Sequence, residues 1–183
     1  MTSEKETSIL LGKGDALVVV DLQNDFLPPA GSLAVPGGDE VIPPLNRAIE
    51  IFESHALPIY FTRDWHPASH CSFVAQGGPW PPHCIAGSTG AEFSQQVRFP
   101  RQAKIVSKAT QVEEDAYSGF QKTNLKDQLN ASQITRVFVG GLATDYCVLN
   151  TVRDALQHGF EVVLLEDAIR AVNVHPQDGE KAK

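Results

Sequence analysis

The sequence predicts an α/β fold, a doubly wound, mostly parallel β-sheet with helices on both faces. Three observations support this prediction. Short apolar, β-branched runs alternate with segments of helical periodicity, which is the order of strand–helix–strand units. The first run, residues 16–20, is apolar throughout, which is typical of a strand buried on both faces of a parallel sheet. Charged residues follow several runs, at the strand ends where such sheets bind their ligands.

Five runs are predicted as strands. The first ends at Asp21, the second is closely followed by Asp64, and the third leads to Lys108. Because the carboxyl ends of parallel strands meet at one edge of a sheet, we expect these side chains to lie close together. The predicted strands cover residues 16–20, 58–62, 105–106, 136–140 and 161–165.

Helices are predicted after the first and fourth strands. Asp39 is a candidate N-cap for a helix whose apolar residues recur from Val41 to Phe52. His175 and Pro176 begin a last helix that only seven residues follow, so we expect the chain to be cut short or to end differently from a full-length product. The helix after the fourth strand places Val148, Val152, Ala155 and Leu156 on one face.

The segments between these elements are predicted as loops. Residues 28–38 are rich in proline and glycine, and residues 66–90 are rich in proline, glycine and histidine. An irregular stretch as long as the second is usually functional in a compact domain. Residues 1–14 are predicted to form a flexible N-terminal arm, and residues 15–183 a single domain, since domains average roughly 100–200 residues.

Composition excludes several function classes. The chain has 183 residues and a formal net charge of −7, which disfavours nucleic-acid and anionic-membrane partners. No stretch approaches the ~18 apolar residues of a membrane span, and the N-terminus is not a secretory signal. Three cysteines do not make a disulfide framework. We expect a cytoplasmic protein with at least one free thiol.

Cys147 is the candidate nucleophile. It follows the fourth strand and falls in or near the first turn of a helix. Unpaired N–H groups and the helix dipole at such a position lower the pKa of a thiol and can hold an oxyanion. A small buried residue on the helix face is an equally good alternative at this point.

Asp21 and Lys108 are candidates to assist the thiol. A partly desolvated Asp21 could take the thiol proton as a general base, although aspartate more often caps a turn or a helix. Neighbouring Asp25 is the better candidate for a cap. Lys108 is either a buried cation that pairs with Asp21 or an exposed lysine at the end of a strand.

Acid and imidazole groups gather after the second strand. Asp64 and His66 are two residues apart, so in an extended segment they share a face, and His70 and His83 follow. Such a set suits a divalent transition metal, with surface histidines in a polar loop as the alternative. A structural zinc site is a further alternative, although its spacing fits no common zinc module. It would comprise His70, Cys71, His83 and Cys84.

Five short motifs occur in an order that resembles a known family. From about residue 16 onward the chain resembles the nicotinamidases and pyrazinamidases of the isochorismatase-like cysteine hydrolase superfamily. The motifs are DLQNDF at 21–26, DWHP at 64–67 followed by His70 and SF at 72–73, WPPHC at 80–84, Lys108 with AYSGF at 116–120, and GLATDYCV at 141–148.

The resemblance implies the doubly wound sheet and the hydrolysis of nicotinamide to nicotinate and ammonia through a cysteine thioester, in NAD salvage. Pyrazinamide, which has the same relation of amide and ring nitrogen, is expected as a further substrate. The resemblance makes Cys147 the nucleophile, Asp21 the general acid/base and Lys108 the third catalytic residue. It places the oxyanion hole at the backbone N–H groups of Ala143 and Cys147, with a cis peptide bond before Ala143.

The resemblance also implies one divalent metal ion that orients the substrate ring, with zinc the first choice and iron or manganese compatible. The metal ligands carried over are Asp64, His66 and His83, and His70 matches a position that ligates in some members. Tyr146 stands where many members have histidine. Phe26, Trp80 and Tyr146 are candidate walls of the substrate pocket, with ordinary packing as the alternative for Phe26 and Trp80. A homo-oligomer is left open.

Four other functions compete. Amidases of the same superfamily that act on ureido or carbamoyl substrates share the catalytic residues but generally lack the metal histidines. True isochorismate hydrolases generally lack the cysteine. A non-catalytic binding protein would be favoured by loss of Asp21, Lys108 or Cys147, and all three are present. A metal-storage or metal-sensing role would leave these residues unexplained.

Overall fold

A five-stranded parallel sheet organises residues 9–183, the part of the chain that the computed structural model describes. The strand order is β3-β2-β1-β4-β5, so the chain winds outward in both directions from β1. The predicted fold class is confirmed, and ligand sites in such sheets lie where the winding direction changes. The strands are β1 (Asp15–Val20), β2 (Ile59–Asp64), β3 (Lys104–Lys108), β4 (Arg136–Leu142) and β5 (Glu161–Arg170).

Helices cover both faces of this sheet. Helix α1 (Ile42–Ser54) packs on one face, while α2 (Leu125–Ala131) and α3 (Leu149–Gln157) pack on the other. A short α4 (Asp178–Ala182) follows β5. The helices pack on the sheet through apolar side chains. These are Leu45, Ile49 and Phe52 on the first face, and Leu125, Leu129 and Ala155 on the second, together with Val148, which directly precedes α3.

The strands are longer than predicted, and the extension matters for the site. Strand β2 reaches Asp64 and β3 reaches Lys108, and these two residues are direct partners in the parallel register. The sequence analysis ended these two strands at Thr62 and Val106, before their charged residues. The structure continues each one because the two charged side chains are buried against each other.

Two helix predictions need correction, and one helix was missed. Asp39 does not cap α1, because it lies within a separate 3-10 turn (Gly38–Val41), and α1 begins with prolines in its first turn, which have no N–H to cap. Leu156 is 55% exposed, so the buried face of α3 excludes it. Helix α2 was not predicted, because a helix of seven residues shows only two buried apolar positions, Leu125 and Leu129.

The predicted N-terminal arm falls largely outside the described residues, which begin at Ile9. In the part that is described, Leu11 packs against the core. Arg136 donates a hydrogen bond to the carbonyl of Leu10 at 2.9 Å. Among residues 9–183, no helix has the length and apolar character needed to cross a membrane.

Candidate active site

Four adjacent strands each deliver one side chain to the same edge of the sheet. Lys108 ends β3, Asp64 ends β2, Asp21 directly follows β1, and Cys147 lies in a π-helical turn just after β4. The strand order makes these four residues neighbours, and all are buried. The structure therefore brings together the three residues that the sequence analysis selected as catalytic candidates.

Lys108 is the centre of this cluster. Its Nζ lies 2.9 Å from Oδ2 of Asp21 and 3.4 Å from Sγ of Cys147, and it donates a hydrogen bond to Oδ1 of Asp64. Burial lowers the pKa of Lys108, but the Asp21 and Asp64 carboxylates outweigh burial and hold it well above its ordinary value. Lys108 is therefore a buried ammonium group, and the alternative of an exposed lysine is wrong.

One oxygen of the Asp21 carboxylate accepts a hydrogen bond from Thr62, and the other oxygen faces Lys108. The hydroxyl of Thr62 donates to Oδ1 of Asp21 at 2.7 Å, and the Asp21 N–H donates to the Thr62 carbonyl at 3.2 Å. Oδ2 is buried and has no well-directed hydrogen bond within the described residues, although Lys108 is near. Burial raises the pKa of Asp21 against the opposing effect of Lys108. This arrangement suits a group that accepts a proton and does not suit a cap.

Cys147 lies in the π-helical turn Thr144–Val148, which leads directly into α3. Burial raises the pKa of the Cys147 thiol well above its ordinary value, although Lys108 opposes the shift. The expectation that the start of a helix would lower this pKa is wrong, because desolvation of the sulfur outweighs the dipole. The thiol proton therefore needs an acceptor, and a carboxylate oxygen of Asp21 lies within 4.8 Å of Sγ.

Asp64, His66 and His83 form a second cluster beside the first. Nε2 of His66 lies 3.3 Å from Nε2 of His83, and Oδ2 of Asp64 lies 3.5 Å and 3.9 Å from these two nitrogens. All three residues are buried, so the alternative of surface histidines is wrong.

The donor set of this cluster fits a metal ion. Nδ1 of His66 faces the carbonyl of Ala109 at 3.3 Å, and Nδ1 of His83 faces the carbonyl of Pro81 at 2.8 Å. A carbonyl can only accept, so both Nδ1 atoms carry the ring hydrogen and both Nε2 atoms present lone pairs. Burial lowers the pKa of His83, which favours its neutral form. Two nitrogen lone pairs and an oxygen of Asp64 then face one another, which suits a divalent cation.

His70 lies beside this cluster but is engaged elsewhere. Its Nδ1 lies 2.7 Å from Oγ of Ser72, and its Nε2 lies 3.1 Å from the carbonyl of Glu114. The alternative zinc site of His70, Cys71, His83 and Cys84 is not formed. In residues 9–183, the converging groups of potential ligands are Asp64–His66–His83 and Asp21–Asp64–Cys147.

Both clusters border one cleft with aromatic walls, which Cys147 lines from the first cluster and Asp64, His66 and His83 line from the second. Phe26, Trp80 and Tyr146 all line it, as do Ala143 and Cys147, and the peptide bond before Ala143 is cis. Trp80 and Tyr146 meet edge to face, with ring centroids 5.1 Å apart. Aromatic and apolar walls with a few converging polar groups are characteristic of sites that bind small ligands.

Sequence reasoning missed several residues that organise the site. Tyr117 accepts a hydrogen bond from Nε1 of Trp80 at 3.0 Å, and its place in the AYSGF motif was the available signal. Thr62 gave no signal beyond its position near the end of a buried strand. Asp25 caps no helix, but it accepts backbone N–H groups from two loop residues, Ser32 and Cys84. Its Oδ2 accepts the N–H of Cys84 at 2.7 Å and so ties the residue after His83 to the loop after β1.

Comparison with known proteins agrees with this arrangement. The isochorismatase domain matches residues 15–182. The chain belongs to the isochorismatase family. Within it, nicotinamidase of Escherichia coli K12 is 40% identical over 188 residues, which cover 91% of this chain and 88% of that protein.

Solved structures show the same similarity. Pyrazinamidase of Pyrococcus horikoshii in complex with zinc has a TM-score of 0.88 and 48% identity, covering 92% of each chain. PnC1 from L. infantum in complex with nicotinate has a TM-score of 0.88 and 37% identity, covering 96% of this chain and 90% of the other.

Proposed function

We propose that this chain hydrolyses nicotinamide to nicotinate and ammonia. One observation carries the proposal: a buried lysine contacts both a thiol and a carboxylate oxygen at one edge of an aromatic cleft. The similarity to nicotinamidases and pyrazinamidases supports the substrate. Pyrazinamide keeps the same relation of amide and ring nitrogen, so we expect it to react as well.

The first half of the reaction forms a thioester. Cys147 gives its thiol proton to Asp21, and the sulfur attacks the amide carbonyl carbon. The tetrahedral oxyanion accepts hydrogen bonds from the backbone N–H groups of Ala143 and Cys147, which both line the cleft. When the C–N bond breaks, the nitrogen takes the proton from Asp21 and leaves as ammonia. The charge of Lys108 stabilises both the thiolate and the Asp21 carboxylate.

The second half releases the acid. Asp21, again a carboxylate, takes a proton from a water molecule as its oxygen attacks the thioester carbonyl. The C–S bond then breaks, nicotinate leaves, and the proton returns to the sulfur of Cys147. Each proton that Asp21 accepts is returned in the same half-reaction, so the free enzyme is regenerated.

We infer that Asp64, His66 and His83 hold one divalent metal ion, and zinc is the first candidate because a similar pyrazinamidase was solved with it. Iron and manganese are compatible with the same ligands. When bound, the metal supplies a Lewis-acid position that orients the substrate ring. The ring itself packs among Phe26, Trp80 and Tyr146.

Ammonia release from nicotinamide by the purified protein tests the proposal, measured with a chelator and then with metal added back. Turnover that falls with the chelator and returns with metal is the expected result. No turnover in any metal state would contradict the proposal and would direct the search to ureido and carbamoyl amides. The reaction would place the chain in the salvage of NAD, which is a cytoplasmic role.

A further inference from the structure

Gln23 is a fully buried amide whose two N–H donors and carbonyl oxygen all bond to the backbone of two distant segments. Its Oε1 accepts the N–H of Asp64 at 2.8 Å, and its Nε2 donates to the carbonyl of Asp64 at 2.7 Å. The second Nε2 hydrogen goes to the carbonyl of Ala91 at 2.9 Å. One side chain therefore holds both backbone polar groups of Asp64.

This arrangement replaces a missing strand. The pairing of β1 with β2 ends at Val20 and Thr62, and the Asp21 N–H makes the last backbone bond to Thr62. Two residues further along β2, Asp64 has no strand partner on that side. The amide of Gln23 presents the same donor and acceptor groups as a peptide unit, so it serves as the next rung of the ladder.

The position of Asp64 matters because its two oxygens have different partners. Oδ1 accepts a hydrogen bond from Lys108, and Oδ2 faces Nε2 of both His66 and His83. A rotation or shift of the Asp64 backbone would move both contacts. We propose that Gln23 is a positioning residue, which fixes Asp64 so that the Asp64–His66–His83 cluster binds its metal. This inference rests on the proposed metal site.

The third hydrogen bond suggests a competing role, in which Gln23 only anchors the segment near Ala91. The neighbouring residue offers a matched control. Nδ2 of Asn24 donates to the carbonyl of Thr89 at 2.8 Å, so Asn24 ties the same segment with the same chemistry. Among residues 9–183, Asn24 makes no hydrogen bond to Asp64.

The experiment compares zinc affinity in Gln23→Glu and Asn24→Asp, measured by competition with a chromophoric chelator. Gln23→Glu keeps the shape and the acceptor for the Asp64 N–H, but it loses both donors. We expect its zinc dissociation constant to rise about 10–100-fold, the usual effect of losing a partner that orients a ligand. Asn24→Asp should leave the zinc affinity unchanged. Equal affinities of the parent and a folded Gln23→Glu variant would overturn the proposal.

A double-mutant cycle with Asp64→Asn separates positioning from general loosening. If Gln23 acts through Asp64, Gln23→Glu should weaken zinc binding much less in the Asp64→Asn background than in the parent. Equal losses in both backgrounds would show that Gln23 acts elsewhere. Should Gln23→Glu fail to fold, Gln23→Asn keeps the amide on a shorter stem, and the same rise in dissociation constant is expected.

These measurements use no nicotinamide, so they separate the two proposals. A parent protein that binds zinc but does not release ammonia would contradict the proposed function, while the Gln23 proposal would still be decided by the zinc affinities. A parent that binds no zinc would overturn both the metal site and the role of Gln23.

Discussion

Strand β1 carries an aspartate at each end, and the two aspartates behave differently. Asp15 begins the strand and pairs with Arg136 at 2.7 Å, with the arginine side chain 26% exposed. Asp21 follows the strand and faces Lys108 at 2.9 Å, with both side chains fully buried. Both are acid–base pairs between strands, adjacent ones for Asp15 and Arg136 and strands separated by β2 for Asp21 and Lys108, and only the second pair has a fully buried cation.

Burial outweighs the effect of the cation on the pKa of Asp21 but not on that of Asp15. The Arg136 side chain holds the pKa of Asp15 below its ordinary value, which is the usual result for a solvated pair. Burial raises the pKa of Asp21 in spite of Lys108. The cation of a solvated pair stabilises the charged form of the acid and lowers its pKa. In a desolvated pair the pKa of the acid is raised, so the carboxylate accepts a proton more easily. We therefore expect the amino end of the sheet to affect stability and the carboxyl end to affect chemistry.

The largest expected effect is at the carboxyl end. Cys147→Ala should lower turnover of nicotinamide by at least about 10⁴-fold, because it removes the nucleophile. The metal content should not change, since Cys147 lies outside the Asp64–His66–His83 cluster. Ammonia release and metal analysis test this, with Cys71→Ala as the control that keeps activity. Loss of metal in Cys147→Ala would show that Cys147 is a metal ligand and would contradict its role as the nucleophile.

The metal cluster should give the next largest effect. His66→Ala removes one of three ligands, so zinc affinity should fall by more than the roughly 10–100-fold of an orienting partner. Nicotinamide should also bind more weakly. Chelator competition and substrate titration measure the two effects, and His55→Ala, an exposed histidine after α1, is the control. Unchanged nicotinamide binding without the metal would rule out its ring-orienting role.

A smaller effect is expected at Thr62, which donates a hydrogen bond to Asp21. Thr62→Val keeps the shape of the side chain but removes the hydrogen bond to Oδ1, so kcat should fall about tenfold, as for a lost hydrogen bond to a charged group. Thr151→Val removes another buried hydroxyl, which contacts the Gly119 N–H, and should leave kcat nearly unchanged. Equal losses of kcat in the two variants would mean that Thr62 has no specific effect on Asp21.

The smallest effect is expected at the amino end. Asp15→Asn should lower stability slightly at pH 7 and leave kcat unchanged, because a partly exposed ion pair contributes little. The folded pKa of Asp15 is depressed, so the advantage of the parent is present above the unfolded value of about 3.9. It is lost as pH falls through the folded value. Urea unfolding at neutral and acidic pH measures this, and a loss of kcat would contradict the division between the two ends.

The contrast also shows what the sequence could predict. Apolar runs located the strands, and their ends located Asp21, Lys108 and Cys147 at one edge. The direction of the Cys147 pKa shift was wrong, because the depth of burial around a sulfur depends on contacts from several strands. Gln23 and Thr62 were missed for the same reason. Their roles come from hydrogen bonds to residues that lie 41 positions away in the sequence.

The division of Asp64 between two partners has a consequence for how this protein can change. The Asp64 carboxylate pairs with Lys108 and also faces His66 and His83, so the histidine cluster shares its one anion with Lys108, whose other counter-ion is Asp21. A variant that discards the metal must still keep an acid at this position, or Lys108 loses half of its counter-charge. We therefore expect redesigns of this scaffold to alter His66 and His83 readily and Asp64 only together with Lys108.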